Sequence, residues 1–139
     1  MNKGLIMLLM ITNAAAASAL EPGKWEITTE TFKGYPLALE KSSTSTRCLK
    51  ADYLQRLGQQ FIATARNMGD CDVAEQTIDS DYVRVSFECS SDKMDVSSVY
   101  QFEATEHSLT GSIKAEGVYK GERGQEISEV SGVHIGPCR

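Results

Sequence analysis

Histidine and tryptophan are nearly missing from this chain: His107, His134 and Trp25 are the only ones in 139 residues. With so little histidine, most of the sequence lacks the commonest metal ligand and general base. There is no Gly-x-Ser-x-Gly elbow, no His-Glu-x-x-His and no phosphate-cradling glycine loop. No Cys-x-x-Cys pair occurs, which removes thioredoxin-type redox chemistry and the usual zinc spacing. Bases are outnumbered by acids, 14 to 19, so the basic patch that nucleic acid requires is not expected. The strongly apolar run Leu5–Ile11 falls well short of the ~20 residues that cross a bilayer, and no later segment is longer. No transmembrane anchor is therefore expected.

That apolar run fits another role. It follows Met1-Asn2-Lys3 and leads through Thr12 and Asn13 to the small residues Ala14 to Ala19. A charged start, an apolar middle and an Ala-x-Ala end (Ala17-Ser18-Ala19) make a secretory signal, with cleavage before Leu20. Residues 1–19 are thus read as a signal peptide and 20–139 as a single β-rich domain, periplasmic or secreted. No cysteine stands near the cut to take a lipid, the first being Cys48. Without Lys3, the 120-residue mature chain has 13 bases against 19 acids, net −6. A chain of that length buries a core of its own, and a monomer is expected.

The cysteines are Cys48, Cys71, Cys89 and Cys138, an even number bound for an oxidising compartment, so two disulfides are expected. Cys71–Ile78 and Tyr82–Cys89 read as a hairpin about a three-residue turn, Asp79-Ser80-Asp81. In that register opposite residue numbers sum to 160, which sets Cys71 against Cys89 within disulfide reach. Cys48 is left to Cys138.

Period-two alternation marks strands throughout. Lys24–Thr31 alternates Trp25, Ile27 and Thr29 against Glu26, Thr28 and Glu30, and Gly34 and Pro36 mark the turn after it. Leu39 to Cys48, rich in Ser and Thr, reads equally as an edge strand or a solvated loop. Leu54, Leu57, Phe61 and Ala65, with Ile62 beside them, form one face of an amphipathic helix over residues 51–67, closed by Gly69. Three more strands are expected at Val96–Thr105, Leu109–Lys120 and Gln125–Ile135, joined by Glu106-His107-Ser108 and Gly121-Glu122-Arg123-Gly124. Gly111 and Gly117 suggest bulges or curvature. His134 is expected to point outward, away from Val133 and Ile135. The fold class is α+β: a curved antiparallel meander of six to seven strands, with a partly closed barrel as the variant, one helix packed on it and two disulfides.

With both histidines outside any recognisable motif and every thiol expected in a disulfide, no catalytic residue, cofactor or metal ligand is expected. Asp79 and Asp81 suit a turn; Asp70 and Asp72 lack a calcium-loop spacing. The expected function is a non-enzymatic binding or accessory role outside the cytoplasm, with an envelope protein or an apolar ligand as partner. An apolar-ligand carrier would need a cavity of at least ~300 Å³ behind Trp25. An inhibitor of cell-wall hydrolases would need an exposed acidic loop, at Asp79-Ser80-Asp81 or Gly121-Glu122-Arg123-Gly124.

Leu20-Glu21-Pro22-Gly23-Lys24-Trp25-Glu26 resembles the Pro-Gly-x-Trp-Glu opening of the domain of unknown function 3617 family. Cys48-Leu49 before the helix, Gly69-Asp70-Cys71, a third cysteine ending the next strand, and Gly136-Pro137-Cys138 match it in order. The resemblance spans the mature chain and implies an exported proteobacterial protein of this architecture, with no activity attached. Two places depart from the pattern: Lys33-Gly34-Tyr35-Pro36-Leu37 stands where a Met/Pro-rich loop is common, and Ser90-Ser91 follows the third cysteine where glycine is common.

Overall fold

The computed structural model describes residues 20–139. The signal-peptide assignment lies outside them. Seven strands and one helix follow in order: β1 (Gly23–Lys33), β2 (Ala38–Leu49), α1 (Tyr53–Asn67), β3 (Cys71–Ile78), β4 (Tyr82–Ser90), β5 (Met94–Ala104), β6 (Ser108–Tyr119) and β7 (Glu122–Gly136). All strands join one antiparallel sheet in the order β2-β1-β7-β6-β5-β4-β3. The last five strands form the expected meander. The first hairpin then adds to its far side through β1 and β7. The sheet does not close: β2 and β3 are its two edges, and the barrel variant is not realised. The Ser/Thr-rich stretch is a strand, and an edge strand, as its exposed polar side chains require.

One sheet face is the core. Trp25 and Ile27 of β1, Leu109 of β6, Phe102 and Ala104 of β5, and Val83, Val85 and Phe87 of β4 share it. Against it lie Leu54, Ile62 and Ala65 of α1, with Leu20 and Leu49. The helix leads from one edge strand to the other and packs on β3 and β4. Gly58 lets it approach closely, since a Cβ there would stand 3.0 Å from Ile78 and 3.1 Å from Val83. Asp52 holds the N-cap position without a side-chain cap, and Gly69, at φ 79°, follows the C-cap as its sequence position indicates. The ring of Phe61 stacks 4.1 Å from that of Tyr100, carrying the apolar layer from helix to β5.

Three sequence expectations change. Gly111 and Gly117 are not bulges, because β6 keeps an unbroken register with both neighbours. Gly111 instead leaves room for the ring of Phe102, its cross-strand partner, which a Cβ would strike. Second, the β6–β7 and β3–β4 turns are tighter than expected. Tyr119 pairs with Glu122 about Lys120-Gly121, where φ of 51° and 81° gives the geometry of a tight hairpin. Ile78 pairs with Val83 about Ser80-Asp81. Cys71 still faces Cys89, because a register shift between Val73 and Glu75 restores what the shorter turn removes. Third, His134 faces the core side, paired with Trp25, while Val133 and Ile135 lie exposed on the other face. Gly132 suits this phase, since Leu109 and Ile27 lie over it, 3.3 Å and 3.5 Å from where a Cβ would stand.

A polar groove and a histidine–glutamate cluster

Each disulfide secures an edge strand. Cys71–Cys89 staples β3 to β4 within the core, and Cys48–Cys138 ties the end of β2 to the chain just beyond β7, across β1. No cysteine is free. All four cysteines are therefore in disulfides, in the expected pairing.

The face opposite the helix carries a groove of about 570 Å³. Its floor is two cross-strand rows. Thr28, Ser131, Thr110 and Glu103 lie side by side across β1, β7, β6 and β5. Glu30, Glu129, Ser112 and Gln101 form the next row, extended by Arg84 of β4. Lys114 also lines it. Alternation explains the composition: every second residue of β1, β5 and β6 faces the core, so the intervening Thr, Ser, Glu and Gln line up on this side. Glu30 stands directly opposite Glu129. Like charges placed so are destabilising, and neither carboxylate has an ion-pair partner within 4.0 Å among the described residues. Arg84 is engaged elsewhere, donating to Gln101 and lying 3.4 Å from Glu75.

At the end of the sheet where β5 turns into β6, the fold gathers residues that are distant in sequence. His107 Nε2 lies 2.7 Å from Glu21 Oε2 and 3.7 Å from Glu106 Oε1. His134 Nδ1 lies 3.9 Å from the same Glu21 oxygen, and the two imidazole rings are 5.8 Å apart. Backbone bonds fix the segments: Glu21 N–H donates to the Glu106 carbonyl at 2.9 Å and His134 N–H to that of His107 at 3.0 Å. Trp25 Nε1 donates to the Glu21 carbonyl at 2.9 Å, and its ring meets His134 edge to face at 5.6 Å. The sequence places both histidines outside any recognisable motif and leads one to expect His134 on the outer face. The chance to join them lay in the phase of β7, which alternation alone leaves open by one residue.

The other candidate loops are less prominent. Ser80 and Asp81 are half-buried, and the Asp81 carbonyl accepts from Ala104 N–H at 2.8 Å. Glu122, Arg123 and Gly124 belong to β7 rather than to a loop. No described helix is long and apolar enough to cross a membrane. Trp25 is fully buried and lines none of the four main grooves.

Comparison with curated proteins and with solved structures yields no match. The family described as protein of unknown function (DUF3617) matches residues 20–138, the whole described domain but its last residue. The chain belongs to that family.

Proposed function

We propose that this chain is an exported, non-enzymatic binding module of the periplasm, whose open sheet face takes up a positively charged, hydrogen-bonding partner. Export is supported by the N-terminal pattern of charged, apolar and small residues and by cysteines paired in disulfides, which persist in oxidising compartments. The binding role rests on one observation above all: Glu30 and Glu129 face one another with no ion pair within 4.0 Å to either among the described residues, beside Glu103 and with Lys114 as the groove's one lining cation, on a floor of Thr and Ser hydroxyls. A cation placed there relieves the repulsion and meets acceptors on neighbouring strands. The apolar-carrier reading has less support, because it needs space behind Trp25, where the side chain is fully packed. The hydrolase-inhibitor reading needs a projecting acidic loop; Asp79 and Glu122 are exposed, but both flank two-residue hairpin turns, Ser80-Asp81 and Lys120-Gly121, rather than lying on an extended loop.

The test is an NMR titration of ¹⁵N-labelled protein with oligolysine, and separately with oligoglutamate. Amide shifts concentrated in the groove strands for the cationic peptide, and lost in E30Q/E129Q, are the expected outcome. Shifts scattered over the surface, or unchanged in the variant, would refute it.

A further inference from the structure

We infer that Glu21, His107 and His134, with Glu106 as a fourth ligand, form a binding site for a divalent transition-metal cation, zinc being the best match. Two imidazole nitrogens and carboxylate oxygens are the donor set that zinc and its neighbours prefer, and one that calcium and magnesium do not. The spacing fits. Zinc bound tetrahedrally to such ligands at about 2.0–2.1 Å holds neighbouring donor atoms about 3.4 Å apart. Of the six donor separations, three are 2.7, 3.7 and 3.9 Å, on either side of that value, the shortest being the Glu21–His107 hydrogen bond that an ion would replace. The donor atoms of Glu21, Glu106 and His107 all lie within 4.8 Å of one another. His134 Nδ1 stands outside that group, 3.9 Å from Glu21 Oε2, so the three others, with side chains 42% to 63% exposed, must turn toward it to share one ion.

The fourth is held. His134 has a side chain only 15% exposed, packed on Trp25. Its Nε2 is buried with no hydrogen-bond partner, pressed against Gly23. A buried imidazole nitrogen without a partner costs stability, yet this placement directs the other nitrogen, Nδ1, toward Glu21. The paired backbone bonds from Glu21 to Glu106 and from His134 to His107 set the three segments before any ion arrives. This is the rigid support that a metal site requires. The site lies on the β5–β6 turn and the start of the domain and shares no residue with the polar groove, so it stands or falls apart from the proposed function.

The experiment uses protein purified from the periplasm, disulfides intact and stripped of metal, titrated with zinc sulfate by calorimetry and by competition with a chromophoric chelator. One zinc per chain with a micromolar or tighter dissociation constant is expected, and no comparable heat from calcium. H107A, whose ring is exposed, keeps the fold and weakens binding at least about tenfold, and E21Q does likewise. Because H134A disturbs the packing of Trp25, His134 is read directly in the native protein: zinc shifts the ¹⁵N resonances of both imidazoles in a long-range correlation spectrum. Absence of binding at millimolar zinc overturns the inference. So does binding that survives H107A and E21Q, or that leaves the His134 nitrogens unmoved.

Discussion

The Cys48–Cys138 bridge joins residues 90 apart and Cys71–Cys89 residues 18 apart. A cross-link stabilises chiefly by restricting the unfolded chain, and the restriction grows with the loop it closes. For the longer loop that model gives about 4.6 kcal/mol at 25 °C, for the shorter about 3.2 kcal/mol. Cys48 and Cys138 are both exposed, so C48S/C138S removes the cross-link and leaves no cavity. Its cost is close to the chain-entropy figure alone, a large share of the ~5–15 kcal/mol a domain commonly has. Cys71 and Cys89 are buried, so C71A/C89A adds to its smaller entropic loss a packing loss. Trp25 is the one tryptophan, fully buried on β1 between β2 and β7, the strands the longer bridge ties together. Its fluorescence in a urea titration therefore reports the relevant unfolding. C48S/C138S should lower the midpoint and raise the denaturant slope, since an unfolded chain released from a 90-residue loop exposes more surface. A midpoint within about 1 kcal/mol of the parent, with an unchanged slope, would refute the reasoning.

Gly111→Ala forces a methyl into the space held by the Phe102 ring and should destabilise by about 1–3 kcal/mol, measured by the same urea titration, with little change in far-ultraviolet circular dichroism. Leu54→Ala, at a fully buried helix position, should cost about 2–5 kcal/mol and lower the melting temperature accordingly. Glu129→Lys replaces a repulsion with Glu30 by an attraction and should stabilise by about 0.2–1 kcal/mol while abolishing oligolysine binding; a loss of stability would argue against the charge assignment. Burial holds the Tyr53 and Tyr100 hydroxyls above the ordinary tyrosine range, with Glu126 adding to the effect at Tyr100 and Arg47 opposing it at Tyr53. The folded chain thus keeps protons that the unfolded chain releases near pH ~10, so this contribution is intact below that pH and is lost above it. Urea midpoints should fall from about pH 10 upward, and Y53F/Y100F should flatten the fall.

Most of the fold was legible because period-two alternation is a strong signal where one face is buried. Trp25, Ile27, Val83, Val85, Phe87 and Phe102 all lie on the core face. Pairing of the first hairpin with β7 was not legible, because alternation does not say which strands are neighbours. Nor was the phase of β7. Three of its four apolar residues, Ile127, Val133 and Ile135, share a face, and the opposite face carries Val130, Gly132 and His134, so hydrophobicity argues for the wrong side. The neighbours favour the observed phase, since Leu109 and Ile27 pack closely over Gly132. The disulfide register shows another kind of limit. A three-residue turn and an unbroken hairpin pair Cys71 with Cys89, and so do a two-residue turn and a register shift after Val73. The pairing of the cysteines was correct for a reason that spacing alone does not contain.

The positions of the disulfides follow from the topology. An open sheet of seven strands presents two edges, each with unpaired backbone groups that invite another chain or fray into solvent. The edges here are β2, with hardly an apolar side chain to hold it, and β3, whose exposed Glu75, Gln76 and Thr77 are little better anchored. A covalent bond at each supplies what those sequences do not supply through burial. Cys71–Cys89 acts within one hairpin, whereas Cys48–Cys138 spans β1 and reaches the residues after β7, tying the first hairpin to the last strand. The sheet's helix-free face is thereby held rigid from both sides without a layer packed over it. An uncovered polar face on which Glu30 opposes Glu129 without an ion pair among the described residues is what the proposed binding role needs and a purely structural sheet does not.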